Sequence, residues 1–189
     1  DLAHNGGLPA QVDKNKFTVG KNLATTPGAV VYRSPVLELI QYRPMSNDVY
    51  TRPLLIIPPQ INKFYVFDLA PEKSIVQFAL KGDLQTFAIS WKNPTANERH
   101  FGLDTYVRAL EEAVDVIRDI TRSDDVNVWG ACSGGITMSA FLANLAARNE
   151  AKVHSATIAV CLLDMAATQD TGAGIFVTPA SVGAAKQAS

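Results

Sequence analysis

Cys132 stands in the run Gly130-Ala131-Cys132-Ser133-Gly134-Gly135. The apolar stretch VNVW precedes it at 126–129, and the helix-like ITMSAFL follows. A Gly-x-Cys-x-Gly sequence between a strand and a helix is a nucleophile elbow with a thiol at its apex. Such a thiol can attack an activated carbonyl and carry the acyl group. Gly130 and Gly134 let strand and helix approach without a Cβ clash. The helix N-terminus aims N–H groups and partial positive charge at the sulfur, which favours thiolate. The Ser133 N–H faces a developing oxyanion. The competing reading is a buried structural cysteine in a tight turn.

An oxyanion site needs a second backbone donor, from the loop after an earlier strand. Pro58-Pro59-Gln60-Ile61-Asn62 follows the apolar run LLII at 54–57. The prolines have no N–H, so the donor must come from Gln60 onward. Ile61 is the expected donor; a rigid connection with no ligand is the alternative. The base is harder to place. His4 and His100 precede the elbow in polar segments, and His154 begins a run whose other end faces Cys132. Asp164 falls at the correct end, where a loop or helix cap is the preferred reading. The catalytic histidine is therefore expected to lie outside this chain. Cys161, inside an apolar run, reads as a small buried hydrophobe. Trp91 ends a strand on the candidate active-site edge, where packing competes with an acyl-pocket role. Asp124 and Asp125 read as a solvated turn with no metal-ligand partner. GACSGG lacks the Lys-Ser/Thr of a phosphate loop.

The elements around these residues follow from periodicity. Residues 1–28 read as an extended lead-in, with a turn at NGG, 5–7. Runs 29–33 and 36–43 suggest a hairpin whose second strand is half buried. The continuous apolar run at 54–57 reads as a strand buried on both faces, 86–91 and 153–163 read as further buried strands, and 126–129 as the strand before the elbow. Helical spacing covers 72–81, 103–121 and about 134–148; in the second, Val107, Leu110, Val114 and Ile117 share one face. From residue 54 strands and helices alternate. That order gives an α/β fold, a mostly parallel sheet with helices on both faces.

The 189 residues suit one domain. A net charge of −1 and scattered Lys and Arg argue against nucleic acid. Two cysteines are too few for a disulfide framework and suggest a cytoplasmic protein. Residues 1–8 do not form a secretion signal, and no apolar run approaches the roughly 18 residues of a spanning helix. The chain starts without Met and is expected to be a piece of a longer protein.

The chain resembles the polyhydroxyalkanoate synthases. The resemblance rests on HNGGLPAQVDKNKFTVGKNLATTPGAVVY, LELIQYRPM, RPLLIIPPQINKFYVFDL, SWKNP, YVRALEEA and GACSGG, in that order. NGGLP and PPQIN resemble the pseudomonad type, which prefers medium-length side chains. The resemblance weakens after Asp164. It implies an α/β-hydrolase fold, with 1–28 as lead-in and 29–189 as an incomplete catalytic domain. It implies that Cys132 attacks an (R)-3-hydroxyacyl-CoA thioester and that a hydroxyl then takes the acyl group, building polyester. Coenzyme A is a leaving group, so no cofactor is expected. The implied partners are the growing polyester, a second copy, and the granule surface with its associated proteins. The family's Asp and His would fall beyond residue 189. Two other readings stay open: a Cys-dependent thioesterase or esterase, and a non-catalytic partner subunit.

Overall fold

A computed structural model describes residues 13–164, 166 and 178–188. The expected NGG turn and His4 lie outside the described residues. So does most of the tail after Asp164.

One six-stranded sheet organises the chain, in the order β1-β2-β6-β3-β7-β8. The strands are β1 Gly28–Arg33, β2 Leu37–Tyr42, β3 Tyr50–Ile57, β6 Leu84–Trp91, β7 Val126–Ala131 and β8 Val153–Ala159. β1 and β2 form the expected hairpin, and β2 pairs antiparallel with β6. From β6 through β8 all neighbours are parallel. A small second pair, β4 Asp68–Ala70 and β5 Lys73–Ser74, precedes the first helix. The helices are α1 Ile75–Lys81, α2 Leu103–Thr121, α3 Ser133–Ala147 and α4 Pro179–Ala188.

The alternation of side chains along each strand splits the core in two. Leu55 and Ile57 of β3 face α2 and α3, with Phe87, Ile89 and Val128. Ile56 of the same strand faces α1, with Ala88, Val76 and Leu80. Helices therefore cover both faces, as the continuous apolar runs require. In α2, Val107, Leu110, Val114 and Ile117 are all buried, so the amphipathic period translates directly into packing. Ser74 caps α1, its hydroxyl accepting from the Gln77 N–H at 2.9 Å.

Two expectations need correction. β2 is buried on both faces, because Leu37 and Leu39 enter one core while Tyr42 enters the other. The run at 153–163 is strand only to Ala159, and residues 154–158 are exposed. Its apolar letters look like a central strand, but β8 is the edge of the described sheet.

The described part of the lead-in is fastened to the sheet. The Asp68 carboxylate is buried and accepts from the Thr26 hydroxyl at 2.6 Å, the Ser74 hydroxyl at 2.6 Å and the Thr26 N–H at 3.2 Å. The Tyr42 hydroxyl is buried with no hydrogen-bond partner among the described residues. Burial, then the Asp68 charge, raise the Tyr42 phenol well above its ordinary range.

Candidate active site

β7 lies between β3 and β8, so the segments leaving those three strands share one edge of the sheet. Ile57 pairs with Gly130 and Ala131 with Ala159, which aligns the three carboxyl ends. Cys132 follows β7 and caps α3 with φ 50° and ψ −124°. A non-glycine residue there stores about 1–3 kcal/mol of strain. Its thiol is exposed. The Cys132 N–H donates to the Ala159 carbonyl at 3.1 Å, and its carbonyl accepts from Ile136 at 3.2 Å. The turn is thus held by the neighbouring strand on one side and the first helical turn on the other.

The glycines are explained by contact. A Cβ on Gly134 would stand 2.5 Å from the Pro58 carbonyl oxygen, and closer still to that of Ile57. On Gly130 it would meet Met138 Sδ at 2.9 Å and Gly135 Cα at 3.0 Å. Gly135, passed over in the sequence, has the same need: a Cβ would meet Cys161 Sγ at 2.9 Å. Cys161 therefore packs over the first turn of α3, two residues past its strand. It is half buried and not a strand residue. Burial raises the Cys161 thiol above its ordinary value, and the neighbouring Cys132 adds to the rise.

The first N–H groups of α3 have no acceptor within the helix. The Ser133 N–H meets none elsewhere among the described residues, and neither does the Ile61 N–H. The Gln60 N–H is engaged: it donates to Ser133 Oγ at 3.2 Å. The Gln60 side-chain amide donates to Thr137 Oγ1 at 2.7 Å, and that hydroxyl donates to the Ser133 carbonyl at 3.1 Å. Trp91 is buried and donates its indole N–H to the Pro58 carbonyl at 2.7 Å. Its role in the structure is to hold that loop. The Gln60–Thr137 contact and the indole contact escaped the sequence reading, because their partners lie 33 to 77 positions away.

Two apolar side chains stand exposed in the segments that leave the strands flanking β7. Ile61, after β3, is 82% exposed, and Val160, after β8, is 88% exposed. Val160 has φ 43°, a costly conformation for a β-branched residue.

No hydrogen bond joins a histidine to Cys132 among the described residues. His154 begins β8 at the opposite end of the sheet, its Nδ1 3.7 Å from Asp125. His100 sits edge-on to Phe101, ring centres 4.9 Å apart. Asp164 Oδ1 accepts from the Ala166 N–H at 2.9 Å, a local cap. Asp125 is more than a solvated turn residue: it forms an ion pair with Arg52. Among the described residues no cluster of His, Cys, Asp and Glu could hold a metal.

Comparison with known proteins bears on the family and the fold. A model of the poly-beta-hydroxybutyrate polymerase (PhaC) N-terminus matches residues 1–79. The chain is 54% identical to poly(3-hydroxyalkanoate) polymerase 1 of Ectopseudomonas oleovorans over 99% of its length and 33% of the relative's. It is 50% identical to polymerase 2 of the same organism, over all of this chain and 34% of that protein. Against the Cupriavidus necator polymerase subunit PhaC the identity is 43%, over 88% and 28%. The chain thus spans about a third of the length of the curated relatives it matches. Among solved structures, an ester hydrolase from the metagenome of Lake Arreo superposes with a TM-score of 0.57 at 15% identity, over 92% of this chain and 60% of that one. A second α/β hydrolase from the same source gives 0.50 at 16% identity, over 82% and 54%. These two likenesses concern the fold, which is that of the N-terminal part of an α/β hydrolase.

Proposed function

This chain belongs to the poly(3-hydroxyalkanoate) polymerase family, of the pseudomonad type, and from that premise we propose that its parent protein polymerises (R)-3-hydroxyacyl-CoA through an acyl-Cys132 intermediate. The observation that carries the proposal is the exposed, strained Cys132 between β7 and α3.

In the first step the Cys132 sulfur bonds to the acyl carbon and the bond from that carbon to the CoA sulfur breaks. The proton lost by Cys132 ends on the departing CoA thiol. One thioester replaces another, so the step is close to neutral in free energy. In the second step a hydroxyl of another monomer or of the growing chain attacks the acyl carbon. An ester bond forms, the carbon–sulfur bond breaks, and the hydroxyl proton passes to Cys132. Here an oxygen ester replaces a thioester, and the step runs downhill.

Both steps pass through a tetrahedral oxyanion. The N–H groups of Ser133 and Ile61 supply its donors in this proposal, since both are unengaged. Ile61 and Val160 offer exposed apolar surface to the acyl chain in this proposal, and transfer must outcompete hydrolysis by water. A histidine oriented by a carboxylate is the expected base. We look for it in the part of the relatives that this chain does not span. A homodimer, a location at the surface of polyester granules, and a preference for medium-length side chains belong to the same proposal. No described helix is long and apolar enough to cross a membrane.

The test uses the full-length protein and (R)-3-hydroxyacyl-CoA. Released CoA together with polymer supports the proposal, as does loss of both in Cys132→Ala. Free 3-hydroxy acid without polymer would replace it with a thioesterase. Unchanged CoA release in Cys132→Ala would refute the role of the thiol.

A further inference from the structure

The two donors of the oxyanion site come from segments about 70 residues apart, yet both must lie about 2.7–3.1 Å from one oxygen. Something must fix the Pro58–Asn62 loop relative to the start of α3. Three side chains, those of Ser133, Thr137 and Trp91, do so. The Ser133 hydroxyl accepts the Gln60 N–H at 3.2 Å. Thr137, one turn along α3, accepts the Gln60 amide at 2.7 Å and returns its proton to the Ser133 carbonyl at 3.1 Å. Trp91 holds the Pro58 carbonyl from the other side at 2.7 Å.

The contacts also select the donor. Pro58 and Pro59 have no N–H. The Gln60 N–H is used on Ser133, and the Asn62 N–H is used on the Pro59 carbonyl at 3.1 Å. Between them only Ile61 keeps a free N–H. If Ser133 released Gln60, the loop would gain a second unpaired donor and lose its anchor to the helix.

We propose that the hydroxyl of Ser133, acting through Gln60 and supported by Thr137, is a positioning group that sets the Ile61 N–H in the oxyanion site. Ser133 then has two tasks. Its backbone N–H is one donor, and its side chain places the other. The inference rests on the polymerase reading above. It adds a role for a side chain that elbow geometry alone does not require, because any residue after the nucleophile supplies an N–H.

The experiment compares wild type, Ser133→Ala, Ser133→Thr, Thr137→Val and Ser133→Ala/Thr137→Val in the full-length protein. Rates of CoA release are expressed per Cys132 alkylated by iodoacetamide, counted by mass spectrometry. That count reports an accessible thiol and needs no oxyanion site, and a cooperative thermal unfolding transition for each variant shows that it is folded. Ser133→Ala should lower kcat about 10- to 100-fold while KM moves less than about 3-fold, because the loss falls on the transition state. Ser133→Thr keeps the hydroxyl and should recover activity to within about 5-fold of wild type. Thr137→Val should lose less than Ser133→Ala, and the double variant should be no worse than Ser133→Ala alone, since both act on one loop. An unchanged kcat per alkylated Cys132 in Ser133→Ala would overturn the proposal. So would additive losses in the double variant, or failure of a folded Ser133→Thr to recover. A wild-type protein that releases no CoA would instead sink the polymerase reading beneath it.

Discussion

Gly134 lies directly against the Pro58 carbonyl: a methyl group there would stand 2.5 Å from the oxygen. Both contacting groups are backbone, one at the start of α3 and one just past β3. Neither can rotate away. The requirement for glycine at this position therefore comes from the join between strand and helix, and not from the thiol two residues earlier.

Gly134→Ala should destabilise the protein by about 3 kcal/mol or more. Gly130→Ala should cost about 1–2 kcal/mol, because its obstacles, Met138 Sδ at 2.9 Å and Gly135 Cα at 3.0 Å, stand farther off than the carbonyl oxygens that face Gly134. Chemical denaturation of the two variants would rank them. Equal losses would contradict the backbone argument.

Asp68→Asn should release the segment around Thr26. The carboxylate accepts three hydrogen bonds while buried, and the amide would turn part of that acceptor surface into a donor. A loss of about 2–4 kcal/mol is expected. Hydrogen exchange at the Thr26 N–H should quicken. Exchange as slow as in wild type would mean that Asp68 does not hold this segment.

Lys152 ties together α2 and the start of β8. Its ammonium lies 2.8 Å from Glu111 and 2.9 Å from Asp115, and its side chain is 17% exposed. Burial works against its charge, but the bonds to Glu111, Asp115 and Glu150 outweigh it and raise its pKa. Lys152→Met should cost about 1–3 kcal/mol, less than a fully buried pair because Arg148 still meets Glu111 at 2.6 Å. A denaturation midpoint equal to wild type would show the cluster to be surface decoration.

Glu98 should remain ionised far into acid. The hydrogen bond from Lys92, then those from the Thr95 hydroxyl and N–H, lower its pKa to about 2 from an ordinary value of 4.5. Because the folded value is the depressed one, the stability it lends is complete above about pH 4.5 and fades as pH falls toward 2. Carbon-13 NMR of this carboxyl should show no titration near 4.5. A midpoint at that value would mean that the capping box of Thr95 and Glu98 is not formed in solution.

Periodicity carried most of the fold. α2 runs over the 19 residues that its apolar spacing marks, since Val107 through Ile117 have one surface to cover. The three parallel strands at 54, 86 and 126 were legible because each is a short, mostly apolar run that ends in a loop or turn. The start of β3 was not, because Tyr50 to Arg52 are polar or exposed and carry no apolar pattern. β8 was overdrawn for the opposite reason. Its composition resembles a core strand, and a sequence does not say which strand stands at an edge. At the site, the elbow and the proline-bounded loop announce themselves locally. The bonds from Gln60 to Ser133 and to Thr137 join positions 73 and 77 apart, and no local pattern encodes them.

The two tryptophans of the chain report on different halves of the molecule. Trp91 sits in the core under α2 and α3 and is bonded to the loop beside Cys132. Trp129 faces the other side of the sheet, edge-on to Phe67 at 5.0 Å. Replacing one with Phe leaves the other as a single emitter. The protein thus carries its own pair of optical gauges, one wired to the Pro58–Asn62 loop and one to the opposite layer.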